Sequence, residues 1–167
     1  MPFYISGKEI ADQKEADQAQ RVELLKNKGV VPKLVIIQTI DSPVIDVYIR
    51  VKKKYAEKIG VLVEHLTIST NEDLEKTIVR INSDVNIHGV IIQLPLNQNL
   101  DQDKTLNLIA KNKDVDGLSF GSIYTPPTAQ AVLWLMEEHV GNFTEKKIAL
   151  VGKGRLVGEP LLHLFES

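Results

Sequence analysis

The chain has 167 residues and a mass of 18.7 kDa, with 43% hydrophobic residues, 25% charged residues, 20 basic against 22 acidic side chains and no cysteine. Such a composition excludes a disordered or fibrous chain, and the lack of cysteine excludes disulfide scaffolds and thiolate metal sites. A formal net charge of -2 argues against a nucleic-acid binder. No apolar run approaches the ~20 residues that cross a bilayer, and Met1-Pro2-Phe3-Tyr4-Ile5-Ser6-Gly7-Lys8 lacks a signal pattern. The expectation is a soluble, cytoplasmic protein without nucleic-acid or membrane partners.

Apolar residues at helical spacing (Ile10, Ala11, Ala19, Val22, Leu25) predict a helix over Lys8–Lys28, closed by Gly29. Lys33–Thr39 is continuous and β-branched, which predicts a strand buried on both faces. Asp41-Ser42-Pro43 predicts a second helix, with a capping side chain and then Pro near the first helical position. That helix runs to Lys58 and stops at Gly60. Val61–Ile68 alternates as a strand, and Thr70 or Asn71 caps a helix through Asn82. His88–Leu94 is a third apolar run, stopped by Pro95. A short helix near Asp101–Lys111, a helix over Thr128–His139 and a buried strand over Lys147–Val151 complete the series. Strands alternating with helices predict an α/β fold with a parallel sheet of βαβ units. The Gly-, Ser-, Pro- and Thr-rich segment Gly117–Thr128 marks a boundary, dividing the chain into 1–122 and 123–167. The second part opens a βα unit and leaves it incomplete, since nine residues follow Gly158.

The second helix is the most informative segment. At about 100° per residue, with Tyr48 at zero, Val44, Val51, Tyr55 and Ile59 fall within about 60° and form one apolar stripe. Lys52 falls at about 40°, at the stripe's edge, while Arg50, Lys53 and Lys54 face the far side. Two readings of Lys52 stay open. It snorkels, its methylenes on the core and its ammonium at the rim, or desolvation and nearby cations lower its pKa so that it moves protons near neutrality. Tyr48, one turn earlier, is placed to stack on a flat substrate. Gln93 ends an apolar run at the carboxyl end of a strand, where open parallel sheets collect ligands. It is either an orienting amide or a satisfied strand end. Asp116-Gly117 reads alone as a turn. Gly152-Lys153-Gly154-Arg155-Leu156-Val157-Gly158 follows the last predicted strand, where glycines let a backbone approach phosphate and Lys153 and Arg155 add positive charge. The four histidines, His65, His88, His139 and His163, lack metal-ligand spacing and read as surface or strand-edge residues.

Taken together, four segments resemble the methylenetetrahydrofolate dehydrogenase/cyclohydrolase family, in order and over nearly the whole chain. Tyr48-Ile49-Arg50-Val51-Lys52 resembles its Y-x-x-x-K, and Gly89 to Leu96 its G-x-x-x-Q-L-P-L. Lys113-Asp114-Val115-Asp116-Gly117 matches K-D-V-D-G, and Val151 to Pro160 resembles V-G-x-S-x-x-V-G-x-P, with Gly154 in place of Ser. The resemblance implies a parallel-sheet βαβ catalytic, folate-binding domain over 1–122. A connecting helix and the truncated start of a Rossmann-type dinucleotide-binding domain would occupy 123–167. It implies Lys52 as the catalytic lysine, Gln93 as the residue that tunes it, and Asp116 as the group that binds the pterin. Tyr48, Ile92 and Leu94 would contact folate, and Gly152, Lys153, Gly154 and Gly158 would lie along NADP or NAD.

The family oxidises 5,10-methylenetetrahydrofolate to the methenyl form and hydrolyses that to 10-formyltetrahydrofolate, without a metal. Full-length members pair as homodimers. For the chain as given, the resemblance implies loss of hydride transfer, with only weak hydrolysis surviving because its residues precede Gly117. The rivals are a shortened, non-catalytic folate-binding or interaction protein, and a two-domain dehydrogenase of the amino-acid or shikimate type.

Overall fold

A computed structural model describes residues 5–143 and 145–166; the tetrapeptide 1–4, part of the segment examined for a targeting signal, lies outside them. The chain forms helix α1 (Gly7–Lys26), strand β1 (Lys33–Gln38), α2 (Pro43–Ile59), β2 (Leu62–Thr67), α3 (Asn71–Ser83), β3 (Gly89–Ile92), α4 (Gln102–Asn107), α5 (Pro127–Val140) and α6 (Gly158–Glu166). The three strands make one parallel sheet in the order β2-β1-β3.

Parallel strands with helices on both faces are buried twice, so their sequences are apolar at consecutive positions rather than alternate ones. The β1 side chains sort by parity. Val35 and Ile37 face α3, in a cluster with Leu74, Ile78, Ile81, Ile87, Val90, Ile92 and Leu106. Ile36 faces α2, with Ile45, Ile49 and Ile91. Helix starts follow local chemistry in three cases: Ser6 Oγ accepts from the Lys8 amide, Thr70 Oγ1 from the Asp73 amide, and Asp101 Oδ1 from the Lys104 amide. Ser42 departs from expectation. It occupies the N-cap of α2 without a side-chain cap bond, and Pro43 alone starts that helix well. α1 packs against α2, with Tyr55 donating to Gln18, and α5 touches α1, with the Lys14 ammonium 4.6 Å from the Trp134 ring centre.

Two expectations are overturned. The buried face of α2 is Ile45, Ile49 and Ala56, centred about 80° round from Tyr48; Val44, Tyr48 and Val51 are 63%, 58% and 61% exposed. The helix is apolar over a wide arc, and the isoleucines fill the space above Ile36 and Ile91 better than the valine and tyrosine edge. Residues 147–151 form no strand, and Val151 is 98% exposed. A parallel strand needs a neighbour's amides and carbonyls, and among the described residues none stands beside this segment.

Candidate active site

The carboxyl ends of β1 and β3 lie side by side, with Ile37 in register with Ile92. The next residue of each strand is a glutamine. The Gln93 amide donates to Ile37 O at 2.8 Å, which holds the end of β3 against β1. From above, Lys52 reaches down from α2 and its Nζ donates to Gln93 Oε1 at 2.9 Å. Gln93 Nε2 in turn donates to Leu94 O at 3.1 Å, so the amide orientation is fixed with its oxygen toward the lysine. Lys52 is half-buried, beside Ile49 and Ala56 on the inner side of the helix.

Asp116 enters from the loop that follows β3's neighbouring bridge, in which Val90 pairs with Asp114. Burial pushes the Asp116 carboxyl above the usual carboxylate range; the Lys52 ammonium opposes that shift and Asp114 adds to it. Lys52 and Gln93 therefore meet directly, and the Asp116 carboxyl lies within the electrostatic reach of the amine. The turn behind Asp116 needs its glycine. Gly117 has φ 66°, and a Cβ there would lie 2.6 Å from Tyr124 O.

The motif Lys113-Asp114-Val115-Asp116-Gly117 divides by role. Lys113 is buried and its Nζ donates to Ile81 O at 2.7 Å and Asp84 O at 2.6 Å, closing the carboxyl end of α3. Asp114 is buried too, and Oδ2 accepts from the Ser119 amide and hydroxyl at 2.8 and 2.6 Å. Asp116, half-buried, senses the Lys52 charge instead. Sequence spacing could not separate these three, because all depend on what lies across the sheet.

Of the remaining expected substrate contacts, Tyr48 stands exposed one turn before Lys52, and Leu94 is half-buried with its carbonyl engaged by Gln93. Ile92 does not join them. It is 1% exposed in the core beneath α3, because its parity points it to the opposite face from Gln93. A surface hollow lined by Ile40, Pro95, Leu96 and Asn97 adjoins the same strand ends.

The glycine segment forms a tight loop at the start of α6. Gly152 has φ 95°, and a Cβ on Gly158 would fall 2.1 Å from Gly152 O. The outer faces of Gly152 and Gly154 meet open space, and Lys153 is exposed. Arg155 does not add charge to that loop as expected. Its guanidinium pairs with Asp103 and donates to Leu118 O at 2.9 Å, tying the loop to α4 and to the segment after Asp116. No group of His, Asp and Glu that could hold a metal occurs among the described residues. Nor, among them, is any helix long and apolar enough to cross a membrane.

Sequence reasoning missed one polar cluster entirely. Gln38 is 2% exposed; its Nε2 donates to Ile40 O at 2.8 Å and Asp46 Oδ1 at 3.1 Å, and its Oε1 meets His65 Nε2 at 2.8 Å. A signal existed, since a glutamine ends the β-branched run of β1 just as Gln93 ends that of β3.

The family model described as tetrahydrofolate dehydrogenase/cyclohydrolase, catalytic domain, matches residues 5–116. The bifunctional protein FolD of Enterococcus faecalis is 34% identical over 177 residues, covering 98% of this chain and 63% of its own. The crystal structure of the bifunctional FolD methylenetetrahydrofolate dehydrogenase/cyclohydrolase from Campylobacter jejuni superposes with a TM-score of 0.90 at 27% identity. That match covers 97% of this chain and 62% of that one. The FolD of Trypanosoma brucei, solved with NADP cofactor and an inhibitor, gives 0.89 at 27% identity over 99% of this chain and 62% of its own. The chain thus spans about six-tenths of the length of the relatives it matches. With the family's catalytic-domain match running from the first helix through Asp116, the chain belongs to the tetrahydrofolate dehydrogenase/cyclohydrolase family.

Proposed function

We propose that residues 1–122 bind a reduced folate and hydrolyse its 5,10-methenyl form to 10-formyltetrahydrofolate, and that 123–167 begin the dinucleotide-binding part that serves hydride transfer. The observation that carries the reading is the 2.9 Å bond from Lys52 Nζ to Gln93 Oε1, with Asp116 within the same electrostatic field. The methenyl carbon is amidinium-like and electrophilic. Water's oxygen bonds to that carbon and loses a proton, the bond from carbon to N5 breaks as N5 takes a proton, and the remaining hydroxyl proton leaves as the formyl C=O forms, so one proton is released in all. The reaction therefore needs a group that holds and moves a proton beside the carbon, and Lys52 in its amine form is that group. Gln93 cannot take the proton at its amide oxygen; it fixes where the nitrogen points. Asp116, half-buried, offers a carboxyl to the polar edge of the pterin, and the exposed Tyr48 ring offers a face to its plane.

For the nucleotide, the open backbone of Gly152 and Gly154 and the start of α6 at Gly158 fit a phosphate, with Lys153 supplying charge. NADP or NAD, when bound, accepts the hydride from the methylene carbon. Assayed alone, residues 1–167 are expected to hydrolyse the methenyl form and to transfer little hydride. No strand supports the glycine loop among the described residues.

The test is methenyl hydrolysis by the purified chain, followed by loss of its absorbance, beside calorimetric titration with a folate analogue. Lys52→Met is expected to lower the rate at least a hundredfold, within the range that general acid–base groups supply, while leaving binding in place. A wild-type rate in that variant defeats the assignment. Folate binding without turnover in the parent chain favours the non-catalytic rival instead.

A further inference from the structure

The polar cluster at the end of β1 has no part in the chemistry just described, yet it bears on the geometry of that chemistry. In a parallel pair, registered residues point to the same face. Ile36 is in register with Ile91 and with His65, so Gln38, Gln93 and His65 all project to the α2 side. Gln93 meets that helix at Lys52, and Gln38 meets it at Asp46, six residues earlier. At 1.5 Å per residue these attachments are about 9 Å apart along the helix axis. Ile49 lies between them on the inner face and Ile45 just before the first of them, both buried against Ile36 and Ile91.

The isoleucine contacts are non-directional and resist separation of helix from sheet, but they set sliding and rotation only loosely. Two hydrogen bonds at separate points set both. The Gln38 bonds leave no ambiguity of orientation. Nε2 faces two oxygens, Ile40 O and Asp46 Oδ1, so Oε1 must accept, and His65 Nε2 carries the donated hydrogen. Lys53 Nζ lies 3.4 Å from His65 Nδ1 on the other edge of the ring. Burial first, and Lys53 second, hold that imidazole below its usual pKa, which keeps the ring in the neutral form this pattern requires. Asp46, in the first turn of α2, also suits the positive end of the helix dipole.

We propose that Gln38 is a positioning residue for the proposed hydrolysis: with Asp46 and His65 it fastens the first turn of α2 to the sheet, and so sets the distance between Lys52 and Gln93. The inference rests on the function proposed above. A helix shift of about 1 Å would lengthen the 2.9 Å bond beyond hydrogen-bond range, and misplacement on that scale can cost a catalytic group a hundredfold.

The experiment compares Gln38→Leu, Asp46→Ala and Asp46→Asn in the 167-residue chain, by methenyl hydrolysis and by the NMR shifts of the Gln93 side-chain amide. Gln38→Leu and Asp46→Ala are expected to lower kcat about tenfold with KM changed less than twofold. Both should move the Gln93 amide resonances toward their positions in Lys52→Met. Asp46→Asn keeps an acceptor oxygen and is expected to restore most of the rate. In a Gln93→Ala background, Gln38→Leu should have no further effect on kcat, because the pair it positions is already broken. An undiminished tenfold effect in that background overturns the proposal, as does a lowered melting temperature with kcat and the Gln93 resonances unchanged. The NMR arm needs no turnover. If Gln93 resonances shift as expected while neither Lys52→Met nor Gln38→Leu alters hydrolysis, the positioning role stands and the catalytic reading fails.

Discussion

Lys113→Met tests whether the first residue of the K-D-V-D-G segment serves the fold rather than the chemistry. The ammonium donates to Ile81 O and Asp84 O at 2.7 and 2.6 Å, and the side chain is buried. Methionine keeps most of the apolar stem and removes both donors. Hydrogen bonds to a charged group are each worth about 1.5–3 kcal/mol, so the gross loss is about 3–6 kcal/mol. Part of that is recovered, since a buried ammonium carries a desolvation penalty that the variant does not. The net expectation is a destabilisation of about 2–4 kcal/mol. With a urea m-value of about 2 kcal/mol/M, the unfolding midpoint falls by roughly 1–2 M. Urea titration followed by far-ultraviolet circular dichroism measures this directly, and hydrogen exchange should show the loss first at the carboxyl-terminal turn of α3. Folate affinity of the folded variant stays within about threefold, because Lys113 points away from Asp116 and Lys52. A midpoint within ~0.2 M of the parent would refute the reasoning, showing that the two carbonyls find equal partners without the lysine.

Asp116→Asn separates stability from binding. Burial raises the folded carboxyl's pKa, so as pH climbs through the usual carboxylate range the unfolded chain releases its proton first and stability falls. The penalty grows as pH rises above the unfolded value of 3.8 and is absent well below it. The variant is therefore expected to melt higher than the parent at pH 7 and equally at pH 3, while binding a folate analogue at least tenfold more weakly; a lower melting temperature at pH 7 would contradict the assignment of cause. Gly117→Ala places a Cβ 2.6 Å from Tyr124 O at a φ of 66°. It should cost about 1–3 kcal/mol and loosen the Asp116 loop, seen as a lower melting temperature together with weaker folate binding. An unchanged melting temperature would show that the turn reshapes freely.

The elements that carry the site were legible because each is written locally. Continuous β-branched runs at Lys33–Gln38 and Gly89–Ile92, Thr70 and Asp101 at helix starts, Pro43 at the head of α2 and Gly60 at its end act within a few residues of themselves. Lys52 and Gln93 were legible for the same reason. A lysine near an apolar face and an amide that stops a buried strand are each a conflict between a residue and its local pattern. What the local pattern could not assign was direction across space. The wheel of α2 has a wide apolar arc, and only the isoleucines already standing on β1 and β3 choose Ile45 and Ile49 over Tyr48 and Val51 for burial.

The same distinction runs through the rest of the chain. Residue order alone determined a parallel α/β sheet and brought an amine, an amide and a carboxylate into one family pattern. Tertiary structure alone decided that Lys113 and Asp114 brace the loop while Asp116 senses the charge of the amine, that Ile92 belongs to the core, that Arg155 binds Asp103, and that residues 147–151 lie unpaired. Helix and strand preferences arise from neighbours three or four positions apart. Burial, hydrogen-bond partners and electrostatic shifts instead depend on groups brought close by the whole fold, such as Lys113 and Ile81, 32 positions apart.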